Sequence, residues 1–265
     1  MPTARQTLPG LLLVAAALSL GSARPATAFS PRTQATIAEE AAHLAPPDLR
    51  RQMLKHVAEL RRGTAAPFAD GNPPRHFENP DGSGELTRAI QIESERAIEA
   101  IRTQRPFADI VYHLGVVAHY VADANNPLNA SNADSSERRY FGDYLGYVET
   151  VSPRLPLVFY GFADRRLDRP MARLAARALA RSRRLYPLVG EEYRRVRFQP
   201  ARAAFDDRST AFAVASLSFS HAVTDVAQAF HWIWLEGGGG DTRRRLDPLD
   251  SRLRALPRRT ERQAQ

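Results

Sequence analysis

His119 and Asp123 stand four residues apart in a stretch, Phe107 to Ala124, that carries no charge between Ile110 and Ala122. A helix puts the two side chains on one face. Asp123 falls at the carbonyl end of that helix, where the backbone dipole disfavours a carboxylate, so something positive should compensate it. An arginine or a plain His–Asp hydrogen bond would serve, and so would a metal ion gripped by both side chains. The loop upstream, Phe68-Ala-Asp-Gly-Asn-Pro-Pro-Arg-His-Phe77, adds Asp70 and His76. Two imidazoles and two carboxylates make a ligand set for zinc or a similar divalent ion. Taken alone the loop pair says less, because Asp-Gly is ordinary turn chemistry.

A second pair with the same spacing, His221 and Asp225, lies in Ser209 to Leu235, where Asp225 is the only formally charged residue. An unpaired aspartate on such a helix is costly. Two readings follow. Asp225 pairs with His221 or with an arginine of a neighbouring helix, or the pair faces the first site and adds ligands there. His43, His56 and His231 have no partner at an informative spacing and read as structural or surface residues. His113, six residues before His119, reads as a core histidine.

Turn signals separate the segments that position these residues. Thr33–Leu44 and Pro47–Arg61 read as short helices, the second started by Pro47 and stopped by Gly63. Thr64–Gly84, rich in Pro, Gly, Asn and Asp, reads as a long loop of the kind usually kept for function. Helical spacing returns in Glu85–Thr103 and continues in Phe107–Ala124, which Asn125-Asn126-Pro127 ends. A further helix is expected over Ser136–Val148, and an arginine-rich one from Pro170 towards Tyr186, capped by Asp168. Pro153–Tyr160 has room for a short strand. The fold class is all-α, a multi-helix bundle with the two nearly uncharged helices at its centre.

His119-Tyr-Val-Ala-Asp123-Ala-Asn-Asn-Pro127, preceded by His113-Leu-Gly-Val-Val-Ala, resembles the core motif of the zinc-dependent phospholipase C and P1-type nuclease superfamily: His-Tyr-x-x-Asp with a proline four residues on. The order of an aromatic residue at the start of the mature chain, an Asp…His loop and this motif strengthens the resemblance, which spans roughly residues 29–132. It implies that Asp70, His76, His119 and Asp123 bind a first metal, that Asp123 bridges to a second, and that the Phe29 amine binds that neighbour. It also implies a phosphodiester hydrolase working through metal-activated water, with Asp70 as candidate general base. The chain departs from the pattern at Gln34 and at Asn129, where the family has histidines. It also has no His-x3-Glu pair on the next helix, since residues 131–150 contain no histidine. One or two zinc ions are therefore expected rather than three. The alternative is a degenerate member that binds a metal or lipid without turnover.

Across 265 residues there is no cysteine, which excludes disulfides, thiolate metal sites and cysteine nucleophiles. The net charge of +8 is concentrated at the ends, leaving +1 for residues 29–241, so charge does not support nucleic-acid binding by the folded body. Phospholipid is the favoured substrate for that reason, and the chain is expected to be monomeric. Residues 1–28, with Arg5, an apolar run from Leu11 to Leu20 and Ala26-Thr27-Ala28, read as a secretory signal cleaved after Ala28. The product would be secreted or periplasmic, and residues 29–240 would form the metal-binding domain. The basic segment 241–265 reads as a solvated tail able to touch anionic surfaces.

Overall fold

The computed structural model describes residues 29–162 and 170–239. The export signal, the Asp168 cap and the basic tail lie outside the described residues. The architecture is all-α, as the spacing predicts. Helix α1 (Pro31–Leu44) begins where Ser30 accepts the Thr33 N–H at 3.2 Å, with proline in the first turn, and it buries Ile37, Ala38 and Ala41. The stretch expected as one helix from Pro47 is two, α2 (Pro47–Lys55) and α3 (Val57–Ala65), broken at His56.

Gly63, expected as a stop, lies inside α3, and packing explains why. A Cβ at Gly63 would lie 2.0 Å from the Tyr112 carbonyl oxygen, and one at Gly115 would lie 2.3 Å from the Leu60 carbonyl oxygen. The two glycines let α3 and α5 (Phe107–Ala124) touch backbone to backbone. Helix α5 is buried without interruption from Leu114 to Ala124 and forms the centre of the bundle. Around it stand α1, α3, α4 (Leu86–Arg102) and α9 (Thr210–Glu236), the last capped by the Ser209 hydroxyl, which accepts the Phe212 N–H at 3.2 Å.

The expected loop of residues 64–84 is ordered. Two single 3₁₀ turns, Ala66–Ala69 and Pro73–His76, lead to an isolated bridge between Glu78 and Gly84. In place of a helix from Ser136, a 3₁₀ turn (Glu137–Arg139) precedes α6 (Phe141–Val151). Helix α7 (Pro170–Arg195) runs well past Tyr186, through Pro187, and packs along α9; the short α8 (Ala201–Ala204) follows it. Residues 156–162 form no strand and no helix; they lie along α9. His113 is half-buried, lining a cleft with Arg96, Glu99 and Arg105 rather than sitting in the core. No helix among the described residues is long and apolar enough to cross a membrane.

The α3–α5 contact gives a direct test. Gly63→Ala should destabilise the protein by about 1–3 kcal/mol through overpacking, since the obstructing atoms are backbone. Thermal unfolding measures it, and an unchanged melting temperature would show that the helices can separate without cost.

Candidate metal centre

The glycine contact has a chemical consequence one turn further along α5. It brings the end of α3 against His119, whose Nδ1 lies 2.8 Å from the Thr64 carbonyl oxygen. A carbonyl only accepts, so Nδ1 carries the hydrogen and a neutral His119 presents a bare lone pair at Nε2. That lone pair lies 3.2 Å from Asp123 Oδ2 and 3.2 Å from His76 Nδ1, while His76 Nδ1 is 2.8 Å from Asp123 Oδ2. All three residues are buried.

Three donor atoms thus converge with too few protons among them. If His76 donates from Nδ1 to Asp123, the His119 lone pair still faces the same carboxylate oxygen. Zinc bonds of about 2.0–2.1 Å in a tetrahedral site hold ligand atoms roughly 3.3 Å apart, close to this spacing. The residues present fit a divalent cation.

Asp123 is wholly buried, and burial pushes its carboxyl up, but the imidazoles of His119 and His76 outweigh this and hold it below the ordinary carboxylate value. Its other oxygen, Oδ1, accepts from Gln34 Nε2 at 2.7 Å. Gln34 comes from the first turn of α1, so the start of the mature segment is tied to the centre of the bundle. Gln34 Oε1 is buried without a hydrogen-bond partner. Phe29 precedes this turn with its side chain buried in the core, its nitrogen in peptide linkage in the full-length chain.

The loop folds back onto α5, but Asp70 does not join the three converging atoms. Its Oδ1 lies 3.5 Å from His76 Nε2, the nitrogen facing away from Asp123. Asp70 also accepts from the Asn72 N–H at 2.9 Å, the Tyr120 hydroxyl at 2.7 Å and Arg75 at 3.3 Å. Burial pushes its carboxyl up, but the Asn72 and Tyr120 bonds and His76 together outweigh this and hold it below the ordinary value. Arg75 lies over the Tyr120 ring, 4.7 Å from its centroid, and also bonds Glu93 at 2.5 Å. Such a carboxylate orients the imidazole from behind. His76 is further fixed through its carbonyl, which accepts from Asn129 Nδ2 at 2.6 Å. Asn129 is thus occupied in stitching the loop, and α6 turns Phe141, Tyr144 and Tyr147 inward.

His221 and Asp225 are separated in role. Asp225 is ion-paired with Arg181 of α7 and accepts from Asn125 at 3.1 Å. His221 stacks on Tyr160, centroids 4.4 Å apart, and burial with the nearby Arg181 charge lowers its pKa to about 4. Neither residue is in the group around Asp123. Sequence reading missed Gln34 as a partner of Asp123, the Tyr120–Asp70 bond and the Thr64 carbonyl. Tyr120 carried a signal as the second residue of the motif, and Gln34 as a departure from the family pattern; the Thr64 carbonyl carried none.

The fold and the converging histidines and aspartate define the class: an all-α bundle with a buried candidate metal centre on its central helix. Among solved structures the chain has the fold of the clostridial alpha-toxins. It matches Clostridium perfringens alpha-toxin from an avian strain with a TM-score of 0.61 at 12% identity, covering 82% of this chain and 66% of that one. It matches the alpha toxin of Clostridium absonum with a TM-score of 0.63 at 14% identity, covering 80% and 67%. The chain therefore spans about two thirds of those proteins. No protein-family description and no curated protein matches it.

Two substitutions separate the clusters. Asp70→Asn should weaken zinc binding about 10–100-fold, the usual effect of removing an orienting carboxylate, as read by competition with a chromogenic chelator. Asp225→Asn should leave zinc stoichiometry unchanged while destabilising the fold by about 2–4 kcal/mol, because Arg181 loses its partly buried counter-charge. Loss of zinc from the Asp225 variant would make it a ligand.

Proposed function

We propose that this chain is an exported, zinc-dependent phosphodiester hydrolase of the phospholipase C type, with one cation held by His76, His119 and Asp123. The observation that carries the reading is the fixed tautomer of His119, whose bare Nε2 meets a second imidazole and a buried carboxylate. The fold shared with the clostridial alpha-toxins is compatible with this reading, and the His-Tyr-x-x-Asp motif, which resembles that of the zinc-dependent phospholipases C, supports it. When bound, a divalent cation supplies a water of lowered pKa and a counter-charge for phosphodiester oxygens.

The chain's own residues then have separate tasks. His119 is locked by Thr64, and His76 is held between Asp70 behind and Asp123 in front. Gln34 occupies Asp123 Oδ1, the oxygen that would otherwise be free for a second cation, and this supports one zinc rather than two. The Phe29 amine, freed by cleavage after Ala28, is left as a further ligand only if Gln34 yields that oxygen. Asp70, kept ionised and partly exposed, is the group assigned to accept a proton from the attacking water; entering the cation's shell as a fourth ligand is its other assigned role. The folded body's charge of +1 favours a phospholipid over a nucleic acid.

A non-catalytic binding protein is the second reading, favoured by Asn129 being engaged in the loop and by α6 presenting aromatics. Elemental analysis and turnover decide between them. The first reading expects one zinc per chain, hydrolysis of a chromogenic phosphodiester and of a phosphatidylcholine analogue, and loss of both zinc and activity in His119→Ala. Bound zinc with no turnover on either substrate would establish the second reading; no bound zinc would remove the cation from both.

A further inference from the structure

The segment after α6 is bonded to α9 through alternate backbone groups and keeps its apolar side chains exposed. Ser220, Thr224 and Gln228 lie on successive turns of α9 and act as a row of anchors. The Ser220 hydroxyl donates to the Pro156 carbonyl at 3.0 Å and accepts the Val158 N–H at 3.2 Å. Thr224 Oγ1 accepts the Tyr160 N–H at 3.2 Å, and Gln228 Nε2 donates to the Gly161 carbonyl at 2.8 Å. Two rings rest on histidines of the same helix: Tyr160 on His221, and Phe162 on His231 with centroids 4.8 Å apart.

Held this way, the segment turns outward what a soluble surface usually hides. Leu157, Val158, Phe159, Tyr160 and Phe162 are 37–49% exposed, and they are five of the eight exposed large apolar residues among the described ones. So much apolar surface in six residues marks a contact surface rather than scattered exposure.

The neighbouring helix says what kind of contact. Helices α7 and α9 run antiparallel, with Arg181 opposite Asp225 and Arg177 opposite Gln228, where Arg177 Nη2 lies 3.4 Å from Gln228 Oε1. Gln228 therefore joins an arginine to the apolar strip through a single amide. Arg173, one turn earlier on α7, falls by register beside the level of His231 and Phe162. Both Arg173 and Arg177 are exposed, and neither is within ion-pair distance of an acid among the described residues, although Arg177 adds to the positive field at Asp225. Burial and the Arg181 charge keep His221 neutral at physiological pH, so no fixed charge opposes burial of Tyr160. Aromatic rings beside exposed arginines, on a backbone bonded to α9 at Pro156, Val158, Tyr160 and Gly161, match the boundary between headgroups and acyl chains.

We propose that residues 157–162, with Arg173 and Arg177, form a docking strip for an anionic phospholipid bilayer. The choice of lipid rests partly on the phospholipid reading above, but the strip shares no residue with the cation centre.

The test uses the full-length chain, sedimented with vesicles of phosphatidylcholine alone and of phosphatidylcholine mixed with phosphatidylglycerol. The chain should bind the mixed vesicles more tightly, and less so as salt is raised. Phe159→Ser/Tyr160→Ser/Phe162→Ser should lower binding at least ~10-fold on both vesicle types. Arg173→Glu/Arg177→Glu should reduce the preference for the anionic vesicles, and an unchanged preference would assign it to the basic segment 241–265 and overturn the part given to these arginines. A milder pair, Leu157→Ser/Val158→Ser, guards against a folding defect and should also weaken binding. All variants should hydrolyse a water-soluble chromogenic phosphodiester as the parent does. Vesicle binding with no turnover in any form would overturn the catalytic reading and leave the strip intact. Failure of the parent to bind either vesicle would overturn the strip, as would unchanged binding in the triple variant. A dimer in the parent that the triple variant loses, without vesicle binding, would assign the strip to a second copy of the chain and equally overturn the proposal.

Discussion

A carboxylate with no access to water, at the carbonyl end of an uncharged helix, is the constraint that the bundle is built around. Asp123 has lost its hydration and faces the negative end of a helix dipole, two costs that no apolar neighbour can offset. Three separate elements answer it: α5 itself with His119, the loop after α3 with His76, and the first turn of α1 with Gln34. Each must be in place for the others to make sense, so the N-terminal segment, the long loop and the central helix are held together by one side chain. None of the three partners is a permanent cation. Two imidazoles and an amide make a ligand nest, whereas an arginine would have made a fixed salt bridge.

Asp225 provides the contrast inside the same molecule. It is nearly as buried, on a helix nearly as free of charge, and it also has a histidine one turn away. There the compensation is Arg181, a fixed charge that leaves nothing for a metal to do, while His221 turns to a tyrosine ring. The same spacing in sequence therefore covers two different pieces of physics. What separates them is the third group that arrives from another helix, and no spacing rule within one helix reveals it.

That distinction sets how much was legible in the residues alone. Spacing and turn signals placed α1, α4, α5 and α9 within two residues of their ends, because helical periodicity and the Asn125-Asn126-Pro127 stop are independent of tertiary contacts; the Ser30 cap that starts α1 at Pro31 rather than Thr33 was not read. The pairing of His119 with Asp123 and the return of His76 to them were legible for the same reason, combined with a motif. Gly63 was misread because a glycine that ends a helix and one that admits a neighbouring backbone look alike in sequence. Asp70 was grouped with the ligands, yet its position is set by Asn72, Tyr120 and Arg75, three contacts of which only Asn72 lies within two residues of it. Gln34 was legible as a departure from a family pattern but not as a donor to Asp123, since a polar residue at the start of a helix is most often solvated.

The uncharged character of α9 has a reason beyond burial. Its polar residues fall on flanks that serve different neighbours: Asp225 meets Arg181 and Asn125, while Ser220, Thr224 and Gln228 hold the segment after α6. A lysine or glutamate in place of either hydroxyl would put a charge beneath the strip and lose a short side chain able to donate and accept. Serine and threonine suit the task because they can do both at once within one turn of helix. Asn125 connects this arrangement to the centre, for it stands two residues after Asp123 and bonds Asp225, which adjoins Thr224 and lies about one turn before Gln228. The helix that closes the bundle thus carries both the structural counterpart of Asp123 and the support for the most apolar exposed segment, and charge is excluded from it on both counts.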